Sequence, residues 1–130
     1  MFCPLSRIKL GLESRKNKKF KKGNSLPPRM KPVDILALKG NPFRVVQQSP
    51  LSQSVVMTLK SKEEIGKGEL HDGDQILYFL DGEGEVTLGS KKFQMAKGMT
   101  ITIPPQTQHQ LYNTGKGDLF FLKIYTPPSE

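Results

Sequence analysis

Short runs of apolar and β-branched residues, separated by glycine, proline and polar turns, fill most of the chain after residue 40. Alternation with a period of two is typical of strands, because successive side chains of a strand point to opposite faces. The pattern predicts a loop at residues 63–68 and strands at 32–38, 43–48, 54–59, 75–80, 85–88, 92–95, 99–103 and 119–125. No segment of helical length repeats its apolar positions every 3.6 residues, so the chain is predicted to be an all-β sandwich or barrel.

The segment 75–80 is apolar at both alternating positions, which is typical of a strand that is covered on both faces. Three polar residues of equal parity lead into it, namely Glu69, His71 and Gln75. If the strand, or a bulge that keeps the parity, runs through this stretch, all three side chains face the interior.

The second histidine of the chain, His109, follows Pro104-Pro105, where the next strand is expected to begin on the far side of the barrel. A carboxylate, two imidazoles and an amide that converge in an apolar cup suit a divalent first-row metal ion. Each residue also has a simpler interpretation. A lone histidine is more often structural, Glu69 is then a solvent-facing acid, and Gln75 caps a turn. The hypothesis of a site therefore depends on the spacing of the four residues.

That spacing resembles the two sequence motifs of the cupin superfamily. In the first motif, the second histidine, the glutamate and the following glycine of the family correspond to His71, Gln75 and Gly82. In the second motif, the glycine, proline, histidine and asparagine of the family correspond to Gly98, Pro104, His109 and Asn113. Gln106 replaces the internal glycine of the second motif. The resemblance covers about residues 40–128 and implies a double-stranded β-helix, or jelly-roll, barrel with a metal site at its mouth.

The resemblance also implies a set of metal ligands, Glu69, His71, Gln75 and His109. Glu69 stands where the family has its first histidine, and Gln75 stands where it has its glutamate. The set keeps one negative charge, while an amide oxygen replaces one imidazole nitrogen. This harder set of ligands favours Fe(II), Mn(II), Ni(II) or Zn(II) over copper.

Three elements resemble a narrower cupin subgroup described as mannose-6-phosphate isomerase-like: Glu69 to Gln75, Gly82-Glu83-Gly84 and Tyr125 to Pro128. This resemblance implies a small polar substrate, such as a sugar phosphate or another hydroxy-carbonyl compound. In an isomerisation Glu69, if it is not a ligand, acts as the general base. Fe(II) oxygenase chemistry is the other reaction that the scaffold allows, and a non-catalytic small-molecule or sugar-binding cupin is the alternative. The family further implies a homodimer that protects edge strands.

Charge divides the chain into two parts. Residues 1–31 carry ten Lys or Arg against one acid, whereas residues 32–130 are close to neutral, within a net charge of +8. The basic part has too few apolar residues to fold alone, so we predict a disordered leader at 1–31 and a single cupin domain at 32–130. A solvated tail, or an upstream start before Met30, is the favoured interpretation of the leader. Organelle targeting and an arm for nucleic acid or anionic lipid stay open.

Composition bears on partners and on location. Residues 32–130 contain no aromatic platform of the kind that stacks RNA bases, so a basic-armed nucleic-acid or membrane adaptor ranks last. No stretch approaches the roughly 18 consecutive apolar residues of a membrane-spanning helix. The single cysteine, Cys3, excludes an internal disulfide. We therefore expect a cytoplasmic protein that binds a small-molecule substrate.

Overall fold

The computed structural model describes residues 31–128. The chain divides into two units, Met1–Lys31 and Pro32–Glu130, and every described helix and strand belongs to the second unit. The predicted leader lies outside the described residues except for Lys31, so its disorder and its role stay predictions. Within the described residues, a 3-10 helix at Ile35–Leu38 precedes the strands β1 Phe43–Gln48, β2 Gln53–Leu59, β3 Glu64–Ile65, β4 Asp74–Asp81, β5 Glu83–Leu88, β6 Lys91–Ala96, β7 Thr100–Ile103, β8 His109–Asn113 and β9 Leu119–Thr126.

The strands form two antiparallel sheets. The larger sheet has five strands in the order β1-β2-β9-β4-β7, and the smaller has four in the order β3-β8-β5-β6. Strands that are distant in sequence lie side by side in both sheets, as when β9 separates β2 from β4. Two antiparallel sheets of this connectivity confirm the prediction of an all-β jelly-roll fold. No helix among residues 31–128 has the length and apolar character needed to cross a membrane.

The core lies between the inner faces of the two sheets. Alternate residues of the strands supply it, as the period-two pattern predicts. Phe79 and Phe121 lie opposite each other on β4 and β9, with ring centroids 6.0 Å apart, and both are fully buried. Burial of one such side chain contributes about 1.5–3 kcal/mol. The buried members of the cluster are Leu59, Leu77, Phe79, Val86, Met95, Ile103, Leu111, Leu119 and Phe121.

In the segment predicted as a first strand, residues 32–38, the last four residues form the 3-10 helix and residues 32–34 belong to no strand. Asp34 begins this helix, because its side chain accepts a hydrogen bond of 3.2 Å from the backbone N–H of Leu36. A local bond of this kind competes with the pairing of strands. None of the helical residues is buried, so no core contact favours a strand here.

Two further predictions need correction. The sequence pattern predicts that the strand at 75–80 is covered on both faces, yet Tyr78 on the outer face of β4 is 39% exposed. Only the inner positions of β4, such as Leu77, face the core. The predicted loop at 63–68 contains the short strand β3, which pairs with β8 because Ile65 packs against the core cluster.

Candidate functional site

Polar side chains gather at the end of the core where β4 and β8 begin. Gln75 is the second residue of β4, in the five-stranded sheet, and His109 is the first residue of β8, in the four-stranded sheet. Both are buried, with 1% and 7% of their surface exposed. Residues 66–73 connect β3 to β4 and thus cross from one sheet to the other, and this loop carries Glu69 and His71.

The structure brings Glu69, His71 and His109 together. One ligand atom of each residue lies within 4.8 Å of the others, and His71 Nε2 is 3.7 Å from Glu69 Oε1. The two imidazole centroids are 6.1 Å apart. Bonds of about 2.0–2.2 Å place two ligands of one ion about 3–4 Å apart, so the distance between the glutamate and histidine atoms is already that of a shared ion. The cluster is a possible metal site.

The ring of His109 is held in one orientation. Its Nδ1 lies 2.9 Å from the carbonyl oxygen of Thr107. Because a carbonyl can only accept, Nδ1 carries the proton and Nε2 presents its lone pair, which is the arrangement that second-shell partners impose on metal-binding histidines. Among the described residues, His109 Nε2 has no hydrogen-bond partner although it is buried.

Gly66 makes room for this ring. A Cβ atom at Gly66 would lie 3.1 Å from His109 Cδ2 and 3.3 Å from His109 Nε2, closer than ordinary side-chain contact. Gly66 also has a φ of +95°, which side chains rarely adopt. The glycine at the start of the loop therefore allows the loop to pass directly over the histidine.

Gln75 is adjacent to this cluster through the sheet register. It pairs with Tyr125 of β9, and the Tyr125 ring centroid is 5.2 Å from that of His71. The side-chain oxygen of Gln75 is buried and accepts no hydrogen bond from any described residue. An orphaned buried acceptor costs about 1–3 kcal/mol, so a water, a ligand or an ion is expected to donate to it or bind it.

Glu69 and His71 are not on the same strand as Gln75, contrary to the parity argument. Strand β4 begins only at Asp74, and the two residues precede it in the loop. A close approach requires glycine at position 73, because a Cβ there would lie 2.1 Å from the carbonyl oxygen of Thr126. The loop is therefore pressed against the end of β9, and it folds back over the mouth.

Gln106, the departure from the second motif, ties this loop in place. Its φ of +54° lies in the left-handed region, which explains why the family has glycine at this position. Its backbone N–H donates to the carbonyl of His71 at 2.8 Å, and its side-chain amide donates to Asp72 Oδ1 at 2.6 Å. The glutamine thus adds a side-chain bond, which a glycine cannot make, to the segment that carries His71.

The pKa of His71 is lowered from its ordinary value. Burial is the largest cause and the positive charge of Lys123 the second, while Glu69 opposes the shift. A lowered pKa keeps the imidazole neutral at neutral pH, and the neutral form is the one that binds a metal ion.

Sequence reasoning did not assign Lys123 and Tyr125 on β9 to this site, although Tyr125 begins the closing element of the subgroup resemblance. Lys123 is 4% exposed and Tyr125 is 8% exposed. Their signal was the strand itself, because both share the inward parity of Phe121 and a lysine within the apolar run 119–125 breaks the pattern. Burial, with a smaller effect of Glu69, raises the pKa of Tyr125 to about 12, so its hydroxyl stays protonated.

Two clefts lead to the cluster. One, of about 490 Å³, exposes His71 and Tyr125 and is lined by Leu70, His71, Asp72, Gly73, Asp74, Tyr125, Pro127 and Pro128. The other, of about 350 Å³, reaches His109 from the side of β5 and is lined by Lys67, Gly68, Thr87, Gly89, Gln108, His109 and Gln110. Clefts of this size admit a small molecule.

Comparison with known proteins gives relatives across the described fold. Residues 55–125 match the family described as "Cupin domain". An uncharacterized protein of Methanocaldococcus jannaschii, MJ1618, is 37% identical over 91 residues, which cover 70% of each chain. An uncharacterized protein of Acanthamoeba polyphaga mimivirus, L612, is 39% identical over 103 residues, and the match spans 62% of its length and 69% of this chain.

A solved structure agrees with the fold. The crystal structure of BH2720 from Bacillus halodurans superposes with a TM-score of 0.73 at 28% sequence identity, over 79% of this chain and 85% of that one. The names of these three proteins state no substrate and no reaction.

Proposed function

Because the chain belongs to the cupin family, we propose that its mouth is a mononuclear divalent-metal site that binds and activates a small polar molecule. In this proposal Glu69, His71, Gln75 and His109 hold the ion. One observation carries it: two buried atoms, Gln75 Oε1 and His109 Nε2, lack a hydrogen-bond partner among residues 31–128, at the mouth where the three-residue cluster lies.

The donor atoms fit a first-row ion. Two imidazole nitrogens, one carboxylate and one amide oxygen form a mixed set with a single negative charge, which suits Fe(II), Mn(II), Ni(II) or Zn(II). When bound, such an ion supplies Lewis-acid polarisation of a substrate oxygen and acidifies a neighbouring hydroxyl group.

The protein residues supply positioning and proton transfer. The bond from His109 Nδ1 to Thr107 fixes the ring, so Nε2 is presented without reorganisation. The side chain of Glu69 is 59% exposed, so in the alternative in which His71, Gln75 and His109 alone hold the ion, a proton that Glu69 takes from a substrate can pass to solvent. The protonated hydroxyl of Tyr125 is a hydrogen-bond donor at the same mouth.

A carboxylate and a phenol at one mouth favour proton transfer between neighbouring carbons of a hydroxy-carbonyl compound. This is the reaction that the isomerase-like subgroup resemblance implies, with Glu69 as the general base in the alternative in which it is not a ligand of the ion. Fe(II) oxygenase chemistry asks only for open coordination positions and ranks second. A cupin that binds its ligand without reaction uses the same residues.

Metal loading tests the proposal. Protein purified without a metal-affinity tag is analysed for metals, stripped, and titrated with Zn²⁺ or Mn²⁺ against a chelator. His109→Ala removes one imidazole, and we expect its metal affinity to fall at least 100-fold. Gln110→Ala is the matched control, because Gln110 is the next residue of β8 and its side chain bonds to Glu64 instead.

The outcome is decided by the difference between the two variants. Affinity that falls in His109→Ala and is unchanged in Gln110→Ala supports the site. Equal affinity in wild type and His109→Ala would place any ion elsewhere and would contradict the proposal, as would a wild-type protein that binds neither ion.

A further inference from the structure

Lys123 is a buried cation in the apolar wall of the barrel. It lies on β9, the central strand of the larger sheet, and its cross-strand partners are Val55 of β2 and Leu77 of β4. Both partners are buried, with 0% and 1% of their surface exposed. Lysine is among the residues that are least often buried unless paired, so this position requires a reason.

The ammonium group points back toward the mouth. Its Nζ lies 5.4 Å from the ring centroid of Tyr125, which is two residues nearer the mouth on the same face. Its charge also acts on His71 and is acted on by Glu69, both in the loop over the mouth. A long apolar stem inside the wall with its charged end at the opening is the usual arrangement of a buried lysine.

No carboxylate of the described residues neutralises this charge directly. Lys123 forms neither a hydrogen bond nor an ion pair with any of residues 31–128, and its close contact is with the face of the Tyr125 ring. Glu69 is the carboxylate that acts on Lys123 and Tyr125, from a distance. In the proposed function Glu69 is committed to the ion, which leaves the ammonium without an anion.

In the proposed function, the mouth therefore carries a net positive charge. A divalent ion, one carboxylate and one ammonium sum to two positive charges in a site walled by apolar side chains. A low-dielectric environment makes such an excess unfavourable and makes an anionic ligand correspondingly favourable.

We propose that Lys123 is the anion-binding residue of this site and that its ligand is a small hydroxy- or oxo-carboxylate. The carboxylate contacts the ammonium of Lys123, and the neighbouring oxygen lies toward Glu69, His71 and His109. This inference rests on the proposed function, because it takes the metal site as the place of the second oxygen. A phosphate is less well matched, since its several oxygens ask for more donors than one ammonium and one phenol.

A matched pair of ligands tests the role of the charge. Lactate and lactamide have the same size and the same hydroxyl group, but only lactate is an anion. Binding is followed by the relaxation of their methyl protons in the presence of Mn²⁺-loaded protein, with protein in excess so that no free ion remains. Wild type is expected to bind lactate at least tenfold more tightly than lactamide.

Lys123→Met removes the charge and keeps the length of the side chain. We expect this variant to lose the preference, so that lactate and lactamide bind within about twofold of each other. Lys92→Met is the control for net charge, because Lys92 is exposed on β6. This control should keep the wild-type preference.

Three results would overturn the inference: equal binding of lactate and lactamide by wild type, an unchanged preference in Lys123→Met, or tighter binding of inorganic phosphate than of lactate. Chelator titration of the same samples reports on the metal site separately. If Lys123→Met loads Mn²⁺ as wild type does and keeps the preference, the inference fails while the proposed function stands. If wild type loads no ion, the proposed function fails, and titration calorimetry of lactate and lactamide on the metal-free wild type and Lys123→Met then decides the role of Lys123.

Discussion

The buried polar residues at the two ends of β8 differ in how fully their side chains are hydrogen-bonded. His109 begins the strand and Asn113 ends it, on the same inner face, and both are motif residues. The Asn113 side chain donates to the carbonyls of Leu59 and Gly117, each at 2.9 Å, and accepts from the backbone N–H of Gly115 at 2.8 Å. Among the described residues, the side chain of His109 has one hydrogen-bond partner, the carbonyl of Thr107 at Nδ1, and its Nε2 has none.

The difference separates structure from function. A buried polar group that makes all of its hydrogen bonds stabilises the fold, and removing it leaves its partners without a hydrogen bond. A buried polar group whose capacity the protein leaves open weakens the fold and must take its partner from a water, a ligand or an ion. By this criterion Asn113 closes the loop at 114–118, and His109 Nε2 is left open for a ligand, which in the proposed function is the ion.

The largest effect on stability is expected at the closed end. Asn113→Ala deletes three hydrogen bonds in a side chain that is fully buried, so we expect a loss of about 2–4 kcal/mol in the free energy of unfolding. Metal-free protein unfolded in urea measures this loss. Metal affinity of the folded fraction should stay within twofold of wild type. A variant as stable as wild type would show that the comparison between the two ends is wrong.

At the open end, two changes of charge should act in opposite directions. Gln75→Glu adds a negative charge to the proposed ligands and should tighten divalent binding by about tenfold, which corresponds to about 1.4 kcal/mol. Glu69→Gln removes the only negative charge and should weaken binding by a similar factor. Chelator competition on both variants gives the two affinities. Changes in the same direction, or no change, would mean that the two side chains do not share one ion.

A smaller effect is expected from Lys123 in the metal-free protein. Burial lowers the pKa of Lys123 below its ordinary 10.5, opposed in part by Glu69. At pH values between the lowered pKa and 10.5, Lys123 therefore binds more protons in the unfolded chain than in the folded one. The free energy of unfolding of wild type accordingly rises as the pH rises through that window. Lys123→Met removes the buried charge and should stabilise the fold at pH 7 by about 1 kcal/mol.

The pH dependence makes that test sharp. The advantage of Lys123→Met over wild type should be greatest at neutral pH and should shrink as the pH approaches 10.5. Urea unfolding at several pH values, with Lys92→Met as the control for net charge, measures it. A destabilised Lys123→Met, or an advantage that grows with pH, would contradict a buried ammonium that is held without a partner.

The sequence by itself determined most of the strands, the family and the four residues proposed as ligands. Period-two alternation and glycine turns depend on neighbours in the chain, so β4, β5, β6 and β9 lie within one or two residues of their predicted limits. The motif spacing singles out His71 and His109, and the fold brings these two residues together. One ligand atom of His71 lies within 4.8 Å of one of His109.

Three features depend on the tertiary structure and could not be predicted from the local sequence pattern. The 3-10 helix at Ile35–Leu38 forms because one capping side chain outweighs a strand that has no core contact. Glu69 and His71 reach the mouth through a loop rather than along a strand, since Gly66 and Gly73 permit close approaches to His109 and Thr126. Lys123 is buried near the mouth because β9 pairs with β2 on one side and with β4 on the other. Its burial is a property of that pairing, because the sequence states the charge of a side chain but not the surface that the fold builds around it.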